Sequence, residues 1–214
     1  MKLKLTMAAA VFSCAAYASA GMDYSGSYDW EDGGTILGSY GNLGYAANVF
    51  DPLGSGSNVL EIHEDPIGST PQAFVAWITG LTDGDEITGS FWGLGDGVTD
   101  AKTRIWGHYT TAGGDIDAYD GSAGGNSAYS GADWTYLEKT WVFNGDGGNH
   151  GGLVIEARIY GYTGGSYTTW IDDLNVSVND VDGSGGIVIH FAPIPAPGAL
   201  ALLGIAGLAR RRRK

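Results

Sequence analysis

An antiparallel β-sandwich is the fold this sequence predicts, on three observations. Short runs of Val, Ile, Phe, Trp and Thr are separated by clusters of Gly, Asp, Asn and Ser, the spacing of strands and turns. Apolar and polar residues alternate, as where Leu153, Ile155, Ala157 and Ile159 are interleaved with Glu156, Arg158 and Tyr160. Helical periodicity is nearly absent, and glycine is abundant at 37 of 214 residues.

Seven strands follow in chain order. Residues 58–63 carry Val59, Leu60 and Ile62, and residues 73–79 carry Phe74, Val75, Trp77 and Ile78. The turn chemistry of Thr82-Asp83-Gly84-Asp85 leads into the third, 86–92, with Ile87, Phe91 and Trp92. The fourth spans 103–109. After it, residues 113–131 are rich in Gly, Asp, Ser and Tyr, and read either as a long surface loop bordering a groove or as a flap without a role. The fifth strand is 136–143, followed by the turn Asn144-Gly145-Asp146-Gly147-Gly148 and the sixth, 153–160, with one core face and one wet face. In the seventh, 168–178, the even positions Trp170, Leu174, Val176 and Val178 form the buried set, and Asp172 shares their side. A buried carboxylate is costly unless a cation or a dense set of hydrogen bonds neutralises it, so Asp172 needs a partner.

Both ends of the chain read as sorting segments. Lys2 and Lys4, the apolar run 7–17 and the small residues Ala18-Ser19-Ala20 make residues 1–20 a secretory signal peptide, cut by signal peptidase near Gly21. Cys14, the one cysteine, leaves with it, and no disulfide remains to brace the exported domain. Cys14 is a poor lipidation site, because Val11-Phe12-Ser13 lacks the usual small residues. At the other end, Pro195, Ala196 and Pro197 precede an apolar run, 198–209, and then Arg210, Arg211, Arg212, Arg213 and Lys214. The run is shorter than the about 20 residues of a full span, so a short transmembrane helix is expected, with its basic end held in the cytoplasm. Residues 195–214 resemble the C-terminal signals of PEP-CTERM proteins: a Pro-Glu-Pro motif, a hydrophobic helix and an arginine cluster, with Ala196 here in the place of Glu. The resemblance implies an exosortase as partner, transient membrane anchoring, and a destination at the cell surface or in the matrix of a Gram-negative-type bacterium.

Without these segments the charge balance changes sharply. Lys102, Arg104, Lys139 and Arg158 stand against twenty-four carboxylates, a formal charge of −20 for residues 21–197. So acidic a surface excludes nucleic acid as a partner and suits divalent cations. The domain is placed at residues 22–178 and a linker at 179–194. Within the linker, Asp180, Asp182, Ser184 and Gly185 repeat the opening of an EF-hand or dockerin loop. The twelfth position is Phe191, however, where a bidentate acid is needed, so the segment reads as an Asp/Gly linker, with a short β-like stretch at 187–191.

Catalysis finds little support. His63, His108, His150 and His190 are scattered without metal-ligand spacing, and no nucleophile elbow occurs. Carboxylate pairs such as Asp115 with Asp117 or Glu61 with Glu64 arise by chance in so acidic a chain. A non-catalytic protein is expected.

A second resemblance covers about Tyr24 to Val178. The opening Asp29-Trp30-Glu31-Asp32-Gly33, the strand pair around Gly80-Leu81-Thr82-Asp83-Gly84-Asp85, and the closing Trp170-Ile171-Asp172-Asp173-Leu174 are similar to carbohydrate-binding-module jelly rolls of the galactose-binding-like superfamily. That family often places a structural calcium where its first and last strands meet. The resemblance implies Glu31 and Asp172 as ligands, with Asp32, Glu61 and Asp173 as neighbours; the alternative is that Asp172 caps a strand and Glu31 is solvated. It also implies that exposed aromatics stack on sugar rings, for which Trp92, Trp106, Tyr109 and Tyr160 are candidates, with Arg104, Glu156 and Arg158 as hydrogen-bonding partners. Two functions follow: a polysaccharide-binding surface protein, or a calcium-stabilised structural protein of the envelope or biofilm matrix without a glycan ligand.

Overall fold

The computed structural model describes residues 21–68, 70–161 and 165–191. The signal peptide at 1–20 and the sorting segment, with Pro195, Ala196, Pro197 and Arg210 to Arg213, lie outside the described residues. No helix among the described residues is long and apolar enough to cross a membrane.

Among the described residues, twelve strands build two antiparallel sheets, with one short 3-10 turn at Asp146–Gly148. They are β1 Met22–Tyr28, β2 Gly38–Tyr40, β3 Leu43–Phe50, β4 Asn58–Glu64, β5 Gln72–Thr79 and β6 Glu86–Gly95. Then follow β7 Lys102–Thr111, β8 Tyr119–Gly125, β9 Thr135–Val142, β10 His150–Tyr160, β11 Tyr167–Asp180 and β12 Val188–Phe191. Sheet A has the order β3-β4-β11-β6-β9, with β1 paired along β11. Sheet B has the order β12-β5-β10-β7-β8, with β2 on β5. First and last long strands thus lie side by side, Tyr28 opposite Leu174.

All seven predicted strands are present, as β4, β5, β6, β7, β9, β10 and β11. The segment 113–131 is not a plain loop: it holds β8, which pairs along β7. The stretch at 187–191 is an integral edge strand, with His190 opposite Trp77 of β5, so part of the expected linker belongs to the sandwich. The reading of β11 needs a correction. Its pairing with β6 shifts register between Asp172 and Asn175, because Asp173 takes a left-handed conformation (φ 50°) and forms a bulge. A bulge reverses parity. Thr169 and Ile171 face the core before it, Leu174, Val176 and Val178 after it, and Asp172 is left half-buried on the other face.

The core between the sheets includes Trp30, Leu60, Ile62, Ile78, Ile87, Phe91, Leu137, Leu153, Ile155, Ile171 and Leu174, all without exposure to solvent. Each large side chain so buried stabilises the fold by about 1.5–3 kcal/mol. Packing is close where Gly89 of β6 meets the other sheet. A Cβ there would lie 2.6 Å from Ile155 Cδ1 and 3.2 Å from Trp141 Cζ3. Gly89→Ala is therefore expected to destabilise the protein by about 1–3 kcal/mol, measured by urea unfolding.

Candidate functional site

The site is built on the outer face of sheet B. Alternation on β10 turns Leu153, Ile155, Ala157 and Ile159 into the core and leaves Glu156, Arg158 and Tyr160 on the opposite face. On β7 the same rule buries Thr103 and Ile105 and turns Arg104, Trp106, His108 and Thr110 outward. Strands β7 and β10 are neighbours, with Arg158 opposite Arg104 and Glu156 opposite Trp106. Above this floor a groove of about 690 Å³ opens. Ser39 and Tyr40 of β2 and Gln72 and Phe74 of β5 form one side. Asp117, Tyr119 and Ser122, from the segment that contains β8, form the other. Tyr40 is 66% exposed and Tyr119 61% exposed, so the two flanks each present an aromatic ring to solvent.

Between them the floor is polar and closed. Glu156 is fully buried and shared by two cationic or cation-capable groups: His108 Nδ1 lies 2.5 Å from Oε1, and Arg158 Nε donates to Oε2 at 2.5 Å. The Gln72 amide, oriented with its nitrogen toward Glu156, donates to both oxygens at 3.3 and 3.2 Å. A buried carboxylate tolerates desolvation only when its lone pairs are filled in this way. His108 is packed in turn by Phe74, edge-on at 4.9 Å, and by Tyr119 at 5.4 Å.

The outer face of sheet B is cationic toward the end of β10 that carries Arg158, a groove residue, and holds unsatisfied polar atoms toward the other end. At the first, Arg104 and Arg158 set their guanidinium carbons 4.7 and 4.4 Å from the Trp106 ring centroid. Trp106 Nε1 donates to Ser122 Oγ at 2.8 Å. Tyr160 meets Tyr129 edge-on at 5.4 Å, and Tyr129 lies 5.2 Å from Arg104. At the other end Trp77 stacks on His190 at 5.2 Å, and the buried atoms Trp77 Nε1 and Thr110 Oγ1 find no protein partner.

The structure therefore brings Arg104, Trp106, Glu156, Arg158 and Tyr160 together, and separates two of their expected companions. Trp92 is on the outer face of sheet A, 40% exposed and edge-on to Tyr136 at 5.5 Å. Tyr109 turns toward the sandwich rim, where it packs on Phe143 at 5.8 Å and stacks on His150 at 4.2 Å; burial raises its hydroxyl pKa. Trp106 is clamped between guanidinium groups, so the freely presented rings are Tyr40 and Tyr119, which the sequence reading did not single out. His108 could have been found by extending the β7 alternation past Arg104 and Trp106.

A carboxylate group sits where β1 and β11 meet. Burial pushes Asp172 up to about 6, and the charges of Asp173, Asp29 and Glu31 add to the shift. Glu31 accepts hydrogen bonds from Asn58 N at 2.8 Å and Asn58 Nδ2 at 3.3 Å. The backbone that gathers these acids is unusual: Trp30, between Asp29 and Glu31, has φ 59°, and Asp173 has φ 50°. A left-handed Trp is costly and persists only when its surroundings hold it, here by full burial and a hydrogen bond from Nε1 to Thr35 O at 2.9 Å. No salt bridge among the described residues reaches this group. These acids act on one another through charge, but among the described residues the carboxylates whose oxygens converge to within 4.8 Å, the spacing a cation needs, are Asp85, Asp180 and Asp182 at the turn after β11.

The other expected metal neighbours are occupied elsewhere. Asp32 accepts from the Tyr28 hydroxyl and from Gly34 N at 3.0 Å, which lowers its pKa. Glu61 accepts from Trp170 Nε1 at 2.9 Å and the Tyr45 hydroxyl at 2.7 Å. The Asp/Gly segment after β11 is a closed turn and not a loose linker. Asp180 accepts from Ser184 N at 3.2 Å and Gly185 N at 2.8 Å, and Asp85 accepts from Val181 N at 3.1 Å.

No protein-family model matches the sequence, and no curated protein matches it. Solved structures match the fold. The CBM22-2 xylan-binding domain of Paenibacillus barcinonensis Xyn10C is similar with a TM-score of 0.52 at 15% identity, over 70% of this chain and 96% of that domain. The CBM22-1 xylan-binding domain of the same protein gives 0.50 at 12% identity, over 75% and 97%. At such identities the likeness is one of fold alone: an antiparallel β-sandwich of two sheets, the architecture these two domains share with this chain.

Proposed function

We propose that this protein binds polysaccharide, without catalysis, in the groove on the outer face of sheet B. The observation that carries the reading is the pairing of two exposed rings, Tyr40 and Tyr119, with a fixed polar floor of Gln72, His108, Glu156 and Arg158. Pyranose rings offer flat C–H faces for aromatic contact and hydroxyls at their rims for directed hydrogen bonds, which is the complement of this surface. The xylan-binding neighbours support xylan as the first ligand to try. Glu156, with both oxygens already filled by donors, is a poor proton shuttle, which supports a binding role over hydrolysis.

The test is titration with xylo-oligosaccharides and a wider glycan panel. Tyr119→Ala and Tyr40→Ala are each expected to weaken binding by about 1–2 kcal/mol, roughly five- to thirtyfold, with the fold intact by circular dichroism. Unchanged affinity in both variants would remove the groove from consideration.

The Asp29, Glu31, Asp172 and Asp173 group favours a companion role, a structural calcium that ties the opening loop to the β11 bulge. On the second reading, a structural envelope or matrix protein, this ion is the whole point: melting depends on calcium while no glycan in the panel binds. Under either reading the chain is exported by its signal peptide and sorted by an exosortase through residues 195–214, a proposal that rests on the terminal sequences.

A further inference from the structure

We propose that the cationic end of this face, where Arg158 lines the groove with Arg104 opposite it, recognises an anionic substituent on the glycan, a uronate carboxylate or a sulfate ester; this deepens, and rests on, the glycan-binding reading of the same groove. Residues 21–191 contain four cations, Lys102, Arg104, Lys139 and Arg158, against twenty-four carboxylates. Three of the four are gathered at one end of one face. Arg158 is directly opposite Arg104, and Lys102 opposite Tyr160, across the β7–β10 pair.

A solubilising role would scatter these charges among the carboxylates. Like charges placed opposite each other in a sheet destabilise it. Arg104 is held by neutral groups: its Nε donates to Asn126 O, its Nη1 to the Tyr129 hydroxyl at 3.3 Å, and its plane lies over Trp106. Arg158 is paired with Glu156, and that one carboxylate is shared with His108. Glu156 thus serves Arg158 and His108, and no salt bridge among the described residues reaches Arg104 or Lys102, so local positive charge remains. Guanidinium groups fixed on an indole present a planar fork that suits the paired oxygens of carboxylate or sulfate. Asp117 in the groove lining opposes an approaching anion directly; the effect of carboxylates beyond about 8 Å is screened at physiological salt, whereas a contact ion pair is not.

The experiment is calorimetric titration of the wild-type protein with three oligosaccharides of one backbone: neutral xylohexaose, the same chain bearing one glucuronate, and the same chain bearing one sulfate. Expected is tighter binding of at least one charged ligand by about tenfold, an advantage lost when the glucuronate is reduced to its neutral alcohol. The arm that keeps the advantage identifies the anion. Lys102→Gln and Arg104→Gln should each move the charged-to-neutral affinity ratio toward one, with melting curves reporting on folding. Equal or tighter binding of the neutral ligand by the wild type overturns the anion proposal and leaves the polysaccharide reading standing. Binding of none of the three, nor of any glycan in the wider panel, overturns both.

Discussion

Replacing Glu156 by alanine is expected to destabilise the fold by about 3–5 kcal/mol and to abolish polysaccharide binding. The carboxylate is fully buried, and it organises three other side chains: His108 on β7, Arg158 on its own strand β10, and Gln72 on β5. Its loss leaves a nearly buried histidine and a largely buried guanidinium without their common acceptor, and the second of these carries a charge it cannot shed. A domain of this size has only about 5–15 kcal/mol in hand, so the variant should unfold at markedly lower urea concentration. Glu156→Gln keeps one acceptor and the shape of the side chain. It should cost less, about 1–3 kcal/mol, and retain some binding. A Glu156→Ala protein that melts like the wild type and still binds would show that the groove is organised by something other than this network.

The same residue shows how far the sequence could be read. Alternation along 153–160 placed Glu156 and Arg158 on the face away from the core, and that is where they are. It also suggested that this face is wet, which it is not at Glu156. Glu156 is enclosed by His108, Arg158 and Gln72, and the flanks of the groove beside them are carried by strands whose residues, Gly38–Tyr40 and Tyr119–Gly125, are mostly glycine, serine and alanine. Such strands have little preference of their own for extended structure; pairing with β5 and β7 imposes it. Strand β1, Met22–Tyr28, was missed for the same reason, since its alternation is of Ser and Gly with Tyr and it forms against β11. The face of Asp172 was misread because period-two counting assumes a regular strand, and one left-handed residue, Asp173, moves every later side chain to the other side. The opening and closing motifs held Asp29, Glu31, Asp172 and Asp173, and in the structure the charges of Asp29, Glu31 and Asp173 act on Asp172, with left-handed residues at Trp30 and Asp173.

The β11 bulge leaves Asp172 half-buried within reach of the charges of Asp173, Asp29 and Glu31, and the cost should be visible as a dependence on pH and, under the calcium proposal, on calcium. Asp172 has its pKa raised to about 6 from an ordinary 3.8, by burial first and by Asp173, Asp29 and Glu31 after it. A raised folded-state pKa means that the neutral acid is the form the fold prefers. Its stabilising contribution is therefore full below about pH 4 and is lost as pH rises through about 6. A shift of this size corresponds to about 3 kcal/mol in the absence of screening, and to roughly 1–2 kcal/mol for a carboxyl that solvent still reaches. Without calcium, the protein should lose that much between about pH 4 and pH 7 from this group. Under the calcium proposal the sign reverses, because the ion would bind the ionised acids: at a hundred times its Kd it would add about 2.7 kcal/mol near neutrality and little below about pH 4. Asp172→Asn should then be more stable than the wild type in chelator at neutral pH, and less stable in excess calcium. Calorimetric melting at both pH values, with calcium and with chelator, separates this from a purely structural role. Asp172 Oδ1 also accepts a hydrogen bond from Asp173 N at 2.8 Å, which the asparagine oxygen can keep. If that bond is all that Asp172 provides, wild type and variant will show the same small response to calcium at every pH.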